Sequence, residues 1–128
     1  MADGFTGLRD THAHLADPLF DGDRPAVLER ARRAGVAEIW VVGEEAGENE
    51  RVLRVCADHP GVLRPCLGLF PGRGGLEEAR EVARRIGEEG DRLAAIGEVG
   101  LDFRLEEDHR ERRRQEEVLT LFARLSLE

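Results

Sequence analysis

Two short segments carry residue types that can do chemistry together. The first is Asp10-Thr11-His12-Ala13-His14-Leu15. Alternate residues of a strand project from one face, so both imidazoles point the same way and Asp10 shares that face. Two neutral imidazoles on one rigid element suit a borderline divalent metal such as zinc, manganese, nickel or iron. The second segment is Ala95-Ile96-Gly97-Glu98-Val99-Gly100-Leu101-Asp102. Here a carboxylate closes an apolar run between two glycines. Glu98 could coordinate an ion held at the first segment, or bridge two ions. Gly97 and Gly100 are the positions expected to let backbone or ions come close. Either segment alone also reads as an ordinary strand or strand exit. The pair together gives the metal site its weight.

These residues need elements to position them. Four similar units follow one another, each an apolar run and then a polar amphipathic stretch. The runs lie at Gly7 to Leu15, Ala37 to Val42, Val62 to Leu69 and Leu93 to Val99. Helices are expected from about Arg24 to Ala34, Gly47 to His59, Leu76 to Glu89, and Glu107 to the end. Gly35 is expected to close the first helix as a left-handed cap. Pro65 argues for irregularity in the third strand. Strands alternating with helices predict βαβ units and a parallel sheet. A whole (β/α)8 barrel takes about 250 residues. The expected fold is therefore α/β, the N-terminal half (four βα units) of a TIM-type barrel, with residues 1–128 as a single partial domain.

The two motifs together resemble those of the TatD-type metal-dependent deoxyribonucleases, most closely the animal branch of that family. Leu67-Gly68-Leu69-Phe70-Pro71 sits where the family carries G-x-H-P, and Gln115 with Phe122 sits where it carries a Q…F helix. The resemblance implies a barrel holding two divalent ions. His12 and His14 would bind one ion, Glu98 would bridge both, Asp10 would orient a ligand histidine, and Asp102 would play a supporting role. The implied reaction is hydrolysis of DNA phosphodiesters. Two departures stand out. Phe70 replaces the family's histidine, and the family's remaining ligands belong to strands beyond the fourth, after Glu128. The 128 residues alone are expected to bind metal weakly and to lack turnover.

Bulk properties set the remaining bounds. Charged residues make up 36% and hydrophobic residues 41%, with a net charge of -8. Such a chain cannot hold DNA through bulk charge, so any contact with a polyanion must be local. No apolar run is long enough for a membrane span. The first seven residues lack a signal-peptide pattern, and Cys56 and Cys66 form no metal spacing. These features predict an intracellular protein, cytoplasmic or nuclear, that is not secreted. The arginines at 110, 112, 113 and 114 alternate with carboxylates and read as a solvated helix face. Glu44 and Glu45 read as solvated loop residues near the mouth of the site. The loop Gly72 to Gly75 reads as flexible, because it lacks the spacing of a phosphate loop.

A half barrel leaves two raw sheet edges, which leaves three outcomes open: a truncated product, homodimerisation through those edges, or pairing with a separate second half. The competing reading is a non-catalytic fragment or interaction module with a partial metal site. A third, the amidohydrolase type, also begins with H-x-H. It usually places a lysine on strand four, and this chain has no lysine.

Overall fold

A computed structural model describes residues 7–104 and 108–128. The order of elements is β1 (Leu8–Ala13), α1 (Arg24–Arg33), β2 (Val36–Val42), α2 (Ala46–Ala57), β3 (Leu63–Leu67), α3 (Leu76–Glu89), β4 (Ala95–Ile96) and α4 (His109–Leu125). Short 3-10 turns occupy Pro18–Phe20 and Gly90–Arg92. The strands form one parallel sheet in the order β1-β2-β3-β4. Sequential parallel strands joined through helices are the arrangement of half a barrel.

The core lies between the strands and the helices. Ile39 and Val41 of β2 and Leu63 and Leu67 of β3 alternate onto this side. They meet Val52 of α2, Val82 and Ile86 of α3, and Phe122 of α4. Among the described residues Phe122 is the largest fully buried side chain. Residues of α3 and α4 on the core side recur at helical spacing, which gives each helix one apolar stripe.

Local signals set the boundaries. Pro25 opens α1 in its first turn, and Gly35 follows with φ of 92°, the left-handed conformation only glycine adopts freely. Asp108 caps α4, its carboxylate accepting the Arg110 N–H at 2.8 Å. The expected start of that helix at Glu107 lies outside the described residues.

Two expectations need correction. Pro65 causes no irregularity, because β3 keeps a continuous register against β2. Its carbonyl accepts from the Ala94 N–H just ahead of β4, so the missing donor falls where that ladder has not begun. The irregular ladder is instead β1–β2, which shifts register after Leu8 and again between Asp10 and Ala13. β4 is also shorter than the expected Leu93 to Val99, because the chain leaves the ladder at Gly97.

Candidate metal centre

β1 delivers His12 and His14 to the C-terminal rim of the sheet. The Asp10 carboxylate accepts the backbone N–H of His12 at 3.0 Å. Asp10 thus fixes the His12 main chain, and this bond does not reach an imidazole ring. The two Nε2 atoms lie 3.2 Å apart, with the rings inclined at 68°. Glu98 arrives from the far end of the sheet. Its Oε2 lies 3.4 Å from the Nε2 of His12 and 3.5 Å from that of His14. A tetrahedral ion with bonds of about 2.0–2.1 Å sets its ligands about 3.4 Å from one another. The three separations match that spacing, and the donor set of two imidazoles and one carboxylate fits a borderline divalent ion.

Three strand intervals separate β1 from β4, a span of about 14 Å in a flat sheet. The contact between His12 and Glu98 therefore requires the sheet to curve inward. The local backbone then carries Glu98 across. The Gly97 N–H donates to the Leu67 carbonyl at 2.9 Å, and the Glu98 N–H reaches past β3 to the Gly43 carbonyl at 2.9 Å. The Gly97–Glu98 peptide bond is cis.

This crossing lies directly on Gly68. A Cβ there would sit 2.5 Å from the nitrogen and oxygen of Glu98. Beneath it the buried Asn49 amide donates to the Gly68 carbonyl at 2.9 Å and accepts its N–H at 3.3 Å. The glycine that permits the close approach is therefore Gly68, rather than Gly97 or Gly100. A Cβ on Gly97 would make only an ordinary contact with Val42, and one on Gly100 would meet nothing.

Asp102 is not in the cluster. Its carboxylate is engaged by the Arg104 guanidinium at 2.8 and 3.0 Å, which holds its pKa below the ordinary carboxylate value. Its backbone is clamped by the buried Gln115, whose Oε1 accepts the Asp102 N–H at 2.8 Å and whose Nε2 donates to its carbonyl at 3.1 Å. Glu44 comes closer than its expected role as a solvated residue. One oxygen lies 3.9 Å from the Nε2 of His14 and the other 3.5 Å from Arg73. The sequence signal was its place at the exit of β2, on the same rim as the histidines. Arg73 also pairs with Glu45, so the Gly-rich loop is tied to that rim. From the other side, Arg114 of α4 donates to the Gly74 carbonyl and pairs with Glu111. That residue of the basic run is committed to structure.

A family model described as TatD related DNase matches residues 9–128. This chain belongs to the TatD-related DNase family. Human deoxyribonuclease TATDN3 is 42% identical over 106 residues, covering 76% of this chain and 39% of that protein. A 3'-5' ssDNA/RNA exonuclease TatD from a Pantoea species is 34% identical over 96 residues, covering 73% of this chain and 36% of that one. The crystal structure of YJJV, a TatD homologue from Escherichia coli K12, superposes with a TM-score of 0.77 at 34% identity. That match covers 92% of this chain and 46% of YJJV. The chain therefore spans less than half the length of these TatD relatives, and it corresponds to the N-terminal part of the TatD barrel.

Proposed function

We propose that this chain supplies the β1–β4 side of a metal-dependent phosphodiester hydrolase acting on DNA. The observation that carries the reading is the convergence of His12, His14 and Glu98 at ligand spacing across four strands. His12 and His14 would hold one divalent ion. Glu98 would be the third ligand and the carboxylate to share with a second ion. Asp10 positions His12 through its backbone, and Asp102 shapes the loop beside Glu98. A bound divalent ion supplies charge against phosphoryl oxygens and lowers the pKa of water. The protein's part is to keep three ligand atoms in place before the ion arrives. Arg73 is held beside the rim by Glu44 and Glu45, and those two carboxylates offset its charge. No described helix is long and apolar enough to cross a membrane. Two free, buried thiols support an intracellular setting, cytoplasmic or nuclear.

The exposure of β1 favours a second reading, in which the chain works only after pairing with a further copy or with a second half. Calorimetric titration with zinc or manganese tests the metal site. One ion should bind, and binding should be lost in the His12→Ala, His14→Ala double variant. Cleavage of a labelled single-stranded DNA that needs both the ion and the histidines would establish the chemistry. Ion binding without cleavage assigns the chain to the second reading. Failure of the chain to bind any ion overturns the first reading.

A further inference from the structure

Three of the four strands bring a possible metal donor to the rim. β1 brings His12 and His14, and the segment after β4 brings Glu98. The third source is Glu44, just beyond β2. The segment after β3 brings Phe70, which has no donor. Among the described residues, Glu44 is the one further carboxylate paired with a nitrogen of the cluster, at 3.9 Å from the Nε2 of His14.

The Glu44 backbone already carries the structural contacts. Its N–H donates to the Glu48 carboxylate at 2.8 Å, and its carbonyl accepts the Phe70 N–H at 2.8 Å. The side chain has no such duty. It is only 25% exposed, and its carboxylate has two partners. One oxygen faces His14, and the other lies 3.5 Å from Arg73. Arg73 does not depend on that pair, since Glu45 also holds it at 3.4 Å.

Three protein donors leave a tetrahedral ion one position short. Neighbouring donors of such an ion lie about 3.4 Å apart, about half an ångström closer than Glu44 and His14 stand here. A glutamate covers that distance by small torsion changes with its backbone unmoved. We propose that Glu44 is the fourth protein ligand of the ion held by His12, His14 and Glu98, and that Arg73 competes with the ion for its carboxylate. This rests on the metal reading above and adds to it a donor from β2. With Glu44 on the ion, four donors close the site. With Glu44 on Arg73, one position stays open, the state that metal catalysis needs. The Gly-rich loop that carries Arg73 thereby sets how open the centre is.

Cobalt(II) titration of the full chain is the test, because cobalt absorbs far more strongly in the visible with four ligands than with six. The unaltered chain should give the strong four-coordinate band. Glu44→Gln keeps both backbone hydrogen bonds, and it should weaken binding at least about tenfold and lose most of the band. Glu45→Gln removes the same charge one residue away and should leave affinity and band as they were. Arg73→Ala frees the Glu44 carboxylate and should tighten binding. Equal losses in Glu44→Gln and Glu45→Gln would reduce Glu44 to a nearby charge and overturn the proposal. An unchanged band in Glu44→Gln, or weaker binding in Arg73→Ala, overturns it too. Cobalt bound through the histidines with no effect of Glu44 removes this ligand and leaves the three-residue centre standing. No cobalt bound at all overturns the metal reading and this proposal with it.

Discussion

Gly68 is where one atom matters most. The Glu98 backbone crosses it so closely that a methyl group has no room. Gly68→Ala should cost about 1–3 kcal/mol through overpacking and weaken metal binding about tenfold, read by denaturation and calorimetry on one sample. Unchanged affinity would mean that the crossing does not place the carboxylate. The histidines and Glu98 were legible because their types and their places at strand ends are local facts. Gly68 was not, since close approach depends on which backbone passes over it from another strand. The thiols make a second residue-scale case. Burial pushes Cys56 up to about 12 and Cys66 up to about 11, from an ordinary 9.0. Both are neutral in the fold, and an unfolded thiol ionises first. Their contribution to stability is full below pH about 9 and is lost as pH rises through the folded values. The urea midpoint should fall over that range, and native thiols should resist a disulfide reagent at pH 8 until denaturant is added.

At the scale of elements, α4 does more than cover the core. Its Gln115 is buried and makes two hydrogen bonds to the Asp102 backbone, so the helix fixes the loop that follows Glu98. Gln115→Ala leaves a donor and an acceptor without partners and should cost about 1–3 kcal/mol. Hydrogen exchange at the Asp102 amide should accelerate, while amides in β2 stay protected. Equal acceleration in both would assign Gln115 to global stability only. The alternation of strands and helices was readable from apolar runs and helix stop signals. The length of β4 was not. Its apolar run continues to Val99, but the Glu98 N–H leaves β3 for Gly43, a choice set by strand order and curvature. Asn49 was missed for the same reason. On α2 it looks like any polar helix residue, and only its neighbours Gly43 and Gly68 reveal a buried clamp.

For the whole molecule, the open sheet edges and the net charge act against each other. Leu8 in β1 and Leu101 beyond β4 are 43% and 45% exposed at opposite ends of the sheet. Unpaired edges favour association, and a charge of -8 opposes it at low ionic strength. Sedimentation velocity should therefore show self-association that increases with protein concentration and with added salt, as screening removes the repulsion. A single monomer species at high salt would show that the edges are protected by other means. The rolled sheet carries one more consequence. The ligands sit at the two ends of an arc, so an ion between them acts as a clasp on the chord. Its affinity gauges how tightly the arc is bent, and anything that flattens the sheet, near or far, will register as a looser grip on the metal. A half-barrel built this way carries its own curvature meter.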